Sequence, residues 1–359
     1  MGLFDKFFSK QKSLVGLDIG SSCVKLIELK PVGKTGTEFK LTKAGMEMLP
    51  PEAIVDGAIM DSGAIVDAIN RLFANLKIKT SDVATSVSGN AVIVKKISLP
   101  QMSAEELGES IHWEAEQYIP FDIQDVSLDY EILEGSGDGS NMDVLLVAVK
   151  KDKISDYTSV IAQSGKTPRI VDVDVFALQN CHEVNYGVDS GRVVALLNLG
   201  AAITNVNIVR GGNSLFNRDI AVGGNLATDA LQKDLGLPFE SAEAVKRGEQ
   251  VEGVSDDSVY PILQSTAETI VSEVQKTFDF FRATTQEERI DQVYLAGGSA
   301  RLSGLRELLT ERLDTQVDIL NPFNAVTYSP KEVDADLVEQ MGPAAAVAVG
   351  LAVRKVGDR

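Results

Sequence analysis

The sequence predicts an α/β protein built from two related domains, with a smaller subdomain inserted into the first. Three observations carry that expectation. Residues 15–29 (VGLDIGSSCVKLIEL) and 195–209 (ALLNLGAAITNVNIV) superimpose without a gap, pairing Asp18 with Asn198, Gly20 with Gly200 and Ser21-Ser22 with Ala201-Ala202. Each copy reads strand, glycine turn, strand, and the two lie half a chain apart. Strand-like runs alternate with helical periodicity along the chain. The length of 359 residues, at roughly 150 residues per domain, corresponds to two or three units.

The first copy opens the folded part. Strands are expected at 14–19 and 23–29, joined by Gly20-Ser21-Ser22. After a second turn at 31–37, a third strand is expected at 39–48. Residues 64–76 place Ile65, Ala68, Ile69, Leu72, Phe73 and Leu76 on one helical face. Two strands follow, at 83–88 and 91–98. Leu99-Pro100 interrupts the pattern, and Ser103 with Glu106 three residues on is a capping box. The helix it starts carries Leu107, Ile111, Ala115, Tyr118 and Ile119 and ends at Pro120. Strands at 126–133 and 144–149 are joined by GSGDGSN, and a helix covers 152–163. The second copy begins with strands at 193–199, 203–209 and 214–221. Helices are expected at 225–235 and 260–284, a strand at 292–295 leading into Gly297-Gly298-Ser299, and helices at 302–313 and 343–353.

Composition narrows the function. Lys and Arg number 34 against 52 Asp and Glu, a formal net charge of −18. Such a surface repels phosphate backbones and anionic lipid, so nucleic acid is not the expected partner. Apolar residues make up 44%, enough for a substantial core. Cys23 and Cys181 are the only cysteines, too few for a disulfide framework and consistent with a reducing compartment. No run approaches the ~20 apolar residues of a membrane span, and the leader MGLFDKFFSKQK lacks the pattern of a signal peptide. Its Leu3, Phe4, Phe7 and Phe8 would share one face of a short helix, though a frayed terminus is the simpler expectation. A cytoplasmic protein follows from these features.

A strand–glycine turn–strand leaves backbone N–H groups pointing outward, a nest suited to phosphate. Asp18, at the end of the first strand, is placed to hold Mg²⁺ through water, and Lys25 to reach the phosphate as a point charge. Other phosphate-like patterns fail. Gly33-Lys34-Thr35 and Gly165-Lys166-Thr167 lack the earlier glycine of a P-loop, where Glu28 and Val160 stand. His112 and His182, the only histidines, have no metal-ligand spacing with the cysteines. The pairs His112-Trp113 and Cys181-His182 read as structural.

An ordered set of motifs then resembles the superfamily of actin, hexokinase and the heat-shock chaperones. LDIGSSCVK resembles its first phosphate motif through Asp18, Gly20, Ser21 and Lys25, and NLGAAITNVNIVRGG its second. AVGGNLATDAL resembles the segment lining the nucleoside, through Gly223 and Gly224. VYLAGGSARLSGLREL resembles the adenosine motif, through Gly297, Gly298, Ser299 and Gly304. PAAAVAVGLAVR resembles a connecting helix whose small residues let two domains cross closely, and IVDVDVFALQN stands where the other connecting helix belongs. Within that superfamily, the leader, HWEAEQYIPFD, DVDVFALQN and FDFFRAT are similar to the actin-like family of type IV pilus assembly. The insert position resembles that of FtsA.

The resemblance implies an actin-like (ribonuclease H-like duplicated) fold with an FtsA-type insert. Its first subdomain would span 14–98, completed by 168–190 and 341–359, behind a leader at 1–13. The insert would span 99–167. The second half would divide into 191–224, completed by 286–340, and a subdomain at 225–285. The ligand implied is ATP or ADP with Mg²⁺. Asp18, Gly20, Ser21, Ser22, Lys25, Asn198, Gly200, Ala201 and Ala202 would surround the phosphates, while Gly223, Gly224, Gln275, Lys276, Gly297, Gly298 and Ser299 would face the adenosine. The partner implied is the N-terminal cytoplasmic peptide of the inner-membrane protein PilN, and through PilN and PilO the pilus motor, with only indirect membrane association. Trp113, Tyr118 and Pro120 are candidates to touch that peptide, beside Ile119 and Phe121, which read first as the insert's own core.

This chain departs from the active ATPases of the superfamily at Asn198, where those carry Asp, and from actin at Ala201, where a second Asp follows the glycine. Neither residue supplies a negative charge to a metal or orients water as a carboxylate does, so slow or absent hydrolysis is expected. Asp172 and Asp174 are the remaining acids that could position water, with a structural cap the competing role. A small-molecule kinase and an FtsA-like filament protein are the alternative readings.

Overall fold

The computed structural model describes residues 14–33, 36–133, 140–285 and 289–358. The expected amphipathic leader, Lys34-Thr35 and most of the GSGDGSN loop lie outside them. The first half begins with strands β1 (Val15–Ile19), β2 (Cys23–Val32) and β3 (Glu38–Met48), followed by a two-rung hairpin of β4 (Ile54–Val55) and β5 (Ala58–Ile59), helix α1 (Ser62–Leu76) and strand β6 (Asp82–Val87). Then come β7 (Val92–Pro100), α2 (Ala104–Glu116), β8 (Val126–Leu133), β9 (Asn141–Lys150), α3 (Lys151–Gln163), β10 (Thr167–Val173) and α4 (Asp174–Tyr186). The second half runs β11 (Val194–Leu199), β12 (Thr204–Arg210), β13 (Asn213–Ile220), α5 (Asn225–Leu235), α6 (Phe239–Lys246), α7 (Asp256–Thr284), β14 (Gln292–Ala296), α8 (Leu305–Leu313), β15 (Gln316–Ile319), α9 (Ala335–Met341) and α10 (Ala346–Ala352).

The sequence echo is a structural duplication. One sheet has the order β3-β2-β1-β6-β10 and the other β13-β12-β11-β14-β15. In each, the first three strands form an antiparallel meander and the last two add parallel. The register repeats too: Asp18 faces Lys25 across β1 and β2, and Asn198 faces Asn205 across β11 and β12.

Between the sheets lies a shared core. Ile27, Leu29 and Leu41 of the first sheet meet Val194, Leu196 and Ala296 of the second around Leu178 of α4 and Ala348 and Val349 of α10. A strap of chain after β15 returns to the first sheet. There Thr327 exchanges backbone hydrogen bonds with Phe39 (3.1 Å) and Leu41 (2.8 Å) of β3. The side chain of Asn185, at the end of α4, holds the strap through Pro322 O and Ala325 N–H, at 2.8 Å each. Because Phe39 pairs with Pro31 while Met48 pairs with Cys23, the strap sits at the end of the sheet away from the Gly20 turn.

Strands β7, β9 and β8 form a separate three-stranded sheet. Its core of Ile97, Leu99, Val144 and Leu146 packs on Leu107, Ile111 and Ala115 of α2, whose capping box of Ser103 and Glu106 is present. Helix α3, read with the insert from its place in the chain, instead buries Tyr157, Val160 and Ile161 with Ile65 and Ile69 of α1 in the first domain's core. The turn expected at 31–37 starts later. Pro31 and Val32 remain paired with β3 because β1 stops pairing with β2 at Ile27, so the N–H that proline lacks is not needed on that side. Helix α7 likewise starts one turn before the expected Tyr260. Pro261 sits close enough to the helix start that its missing N–H leaves only the Asp257 carbonyl without its usual donor.

Candidate functional site

The parallel strands β1, β6 and β10 end on one side of their sheet, where open α/β sheets bind ligands. Asp18 stands at the end of β1, and Lys25 Nζ meets its carboxylate at 2.9 Å with both side chains nearly buried. Burial works against the lysine charge, but Asp18 and Cys23 outweigh it and hold the ammonium above the usual lysine range. The two turns share one hydrogen-bond pattern: Gly20 N–H donates to Cys23 O at 3.1 Å, and Gly200 N–H to Ile203 O at 2.9 Å. The N–H groups of Ser21, Ser22, Ala201 and Ala202 have no partner among the described residues. In the second hairpin, two amides replace the ion pair. Asn198 Nδ2 donates to Asn205 Oδ1, and Asn205 Nδ2 donates to Asp219 on β13, both at 2.8 Å.

Asp219 also accepts the Gly89 N–H at 2.6 Å. Gly89 follows β6, so this bond crosses from one domain to the other at the mouth of the cleft. Nothing in the sequence singled out Asp219, because its role depends on the Gly89 loop of the opposite domain.

The two candidate water-positioning acids part company. Asp172 is taken up by Arg354 (Nη1 to Oδ2, 2.5 Å) and by the Val173 N–H, a buried pair fastening β10 to the segment after α10. Asp174, the first residue of α4, does reach the cleft. Ser86 Oγ donates to it at 2.5 Å, and the Ser88 hydroxyl also bonds it. Burial first, then the neighbouring Asp18 charge, push its carboxyl up to about 6. A carboxyl raised in the folded state opposes folding only when ionised. That penalty is absent below its unfolded value near 4, grows as pH rises to about 6, and is complete above. The Asp174→Asn variant is therefore expected to gain stability over wild type as pH rises from 4 to 7, by about 2–3 kcal/mol at the top. Denaturant melts at pH 4, 5, 6 and 7 check this, and a constant difference across the series contradicts it.

The adenosine-side glycines converge on the second turn. Gly224 N–H donates to Gly200 O at 2.9 Å, Asn225 N–H to Ala201 O at 2.8 Å, and Ser299 Oγ to Gly200 O at 3.0 Å. At Gly223 and Gly297, a Cβ would strike the carbonyl oxygens of Ala201 and Leu199, so these glycines are required by close backbone approach. At Gly298 a Cβ would meet nothing within 4 Å, so the space over that turn is open. A hollow of about 660 Å³ lies alongside, lined by Lys246, Arg247, Glu249, Tyr260, Arg301 and Ser303, within the range of small-ligand sites. Lys246 joins it to the turns, bonding Thr228 Oγ1 at 2.9 Å and Gly224 O at 3.4 Å beside Glu243.

Lys246 and Arg247 were missed in the sequence because α6 is short and sits between Pro238 and Gly248. Gln275 and Lys276, expected at the adenosine, are not brought there. The hollow uses α7 only as far as Leu263, and Gln275 lies twelve residues on, about 18 Å along the axis. Lys276 is exposed and pairs with Glu273 at 2.6 Å. On the insert, Trp113 is 73% exposed and Pro120 lies at the surface, whereas Tyr118 packs on the core beneath Lys95, 5.2 Å from its ring. Cys181 is buried, and His182 is held in the shared core against Tyr186 and Tyr294, with ring centroids at 5.4 and 5.0 Å. Both are structural.

Two duplicated sheets, paired glycine turns and an open hollow beside the second of them define an actin-like protein. The residues present fit a nucleotide: free N–H groups for phosphate, one carboxylate–lysine pair, and room over Gly298. Residues 16–356 match the family model of the type IV pilus assembly protein PilM, and the chain belongs to that family. A solved PilM-PilN type IV pilus biogenesis complex is 29% identical and covers 97% of this chain and 100% of that one, with a TM-score of 0.85. MreB5 of Spiroplasma citri, solved bound to ADP, shares the fold at 13% identity over 95% of this chain and 93% of its own, TM-score 0.53. The cell division protein FtsA of Neisseria meningitidis serogroup B is 21% identical over 351 residues, 86% of this chain and 83% of the relative. Among the described residues no helix is long and apolar enough to cross a membrane, and no group of three or more His, Cys, Asp or Glu could hold a metal by itself.

Proposed function

We propose that this protein is a nucleotide-dependent scaffold of type IV pilus assembly. It holds ATP or ADP with Mg²⁺ between the Gly20 and Gly200 turns and docks the cytoplasmic N-terminal peptide of PilN. The observation that carries this reading is the likeness, over essentially the whole of both chains, to a PilM solved with PilN. The phosphates would rest on the N–H groups of Ser21, Ser22, Ala201 and Ala202, with Lys25 beside them and Asp18 holding the metal through water. The nucleoside would lie over Gly298, between Gly223-Gly224 and the hollow lined by Lys246 and Arg247. When bound, the metal would neutralise phosphate charge. Asn198 and Asn205 carry no charge to assist it, so hydrolysis is slow or absent; of the other acids near the site, Asp219 is engaged by Asn205 and Gly89, and Asp174 lies beside Asp18. In this reading the subdomains are the two sheets with their helices, α5–α7 as an extension that shares the core of the second sheet, and the three-stranded insert that would receive the partner. Membrane association would come through PilN, with PilO and the pilus motor beyond it.

The test is a titration of a synthetic PilN N-terminal peptide against the protein with and without ATP. Saturable binding that changes with nucleotide is expected. No binding in either condition rejects the scaffold reading.

A further inference from the structure

Lys153, on the first turn of α3, is a buried ammonium that no carboxylate pairs with among the described residues. Its Nζ donates to the carbonyl of Gly57 and lies 4.3 Å from the Tyr157 ring, while the Tyr157 hydroxyl donates to the same carbonyl at 3.3 Å. Burying a cation against a neutral oxygen is costly unless an anion arrives. Gly57 is the second residue of the Asp56-Gly57 turn joining β4 to β5. Both residues have positive φ (49° and 77°), the signature of a tight two-residue hairpin. That tip reaches the cleft: a Cβ on Gly57 would meet the Ser88 carbonyl at 4.0 Å as well as Lys153 Nζ at 2.9 Å. Ser88 in turn bonds Asp174, beside Asp18. Burial pulls the Lys153 ammonium below the usual lysine range, and Asp174 is the first of the acids that oppose this.

We infer that Lys153 binds the terminal phosphate of a nucleoside triphosphate in the cleft, and that the β4–β5 hairpin reports its presence. The inference rests on the proposed nucleotide reading and extends it to a residue outside both glycine turns. With a diphosphate, Lys153 keeps its bond to Gly57. With a triphosphate, the ammonium turns to the phosphate and releases one of the two donors holding the hairpin tip. Discrimination between the nucleotides then arises from a charge-assisted hydrogen bond available only to the longer one.

The experiment measures ATP and ADP affinities by calorimetry, with Mg²⁺, for wild type, Lys153→Met and Lys153→Arg. It adds hydrogen exchange of the Met60 and Asp61 amides, which donate to Ala53 O at the base of the hairpin. Wild type is expected to favour ATP and to exchange faster at the hairpin with ATP than with ADP. Lys153→Met is expected to lose about tenfold or more in ATP affinity, with ADP affinity unchanged and the exchange difference gone. Lys153→Arg restores part of the preference. A Lys153→Met protein with the wild-type ATP to ADP ratio overturns the inference and leaves the nucleotide site standing. A wild type that binds neither nucleotide overturns both.

Discussion

Replacing Gly350 by alanine is expected to destabilise the protein by several kcal/mol. Gly350 lies on α10 where it crosses α4, and a Cβ there would fall deep inside the Ala177 carbonyl of α4. The obstacle is backbone, and both helices are buried in the core shared by the two sheets, so neither can yield locally. Overpacking a tight core ordinarily costs about 1–3 kcal/mol. A clash with an unyielding carbonyl, in the helix pair joining both domains, exceeds that range. Denaturant unfolding checks it. A variant within 1 kcal/mol of wild type would mean that the helices can move apart. Gly16 repeats the constraint on the other side of α10, where a Cβ would strike the Ala348 carbonyl.

The second large effect concerns Asp18. Substitution by alanine strips a buried lysine of its partner, and removing one member of such a pair typically costs about 3–5 kcal/mol. Folding and binding would then fail together. Asp18→Asn separates them, keeping shape and an acceptor for Lys25 while removing the charge a hydrated metal requires. ATP affinity in Asp18→Asn is expected to become nearly independent of Mg²⁺, falling about 100-fold with the metal present and little in chelator. ATP titrations with and without Mg²⁺ decide the matter. If affinity with the metal is unchanged, Asp18 does not serve it.

Much of this was legible in the residues. The echo between 15–29 and 195–209 foretold two sheets of one strand order, because a buried strand, a glycine turn and a return strand constrain side-chain type at nearly every position. The capping box at Ser103 worked for the same reason: it is local chemistry. What escaped was short or depended on distant contacts. Strand β15 and helices α6 and α9 are too brief to establish a period. Helix α3 was grouped with the insert by sequence order, although its apolar face packs on α1. Gln275 and Lys276 were placed by resemblance alone, while the lysine that reaches Gly224 is Lys246, on an element the pattern did not reveal. Asp172 and Asp174 looked alike until Arg354, far along the chain, occupied one of them.

The strap through Thr327 closes the two halves at the end remote from the glycine turns, while at the mouth Asp219 holds the Gly89 amide and β13 lies against β7. Any opening of the cleft would therefore have to break that carboxylate–amide bond and part β13 from β7, while the strap could stay intact.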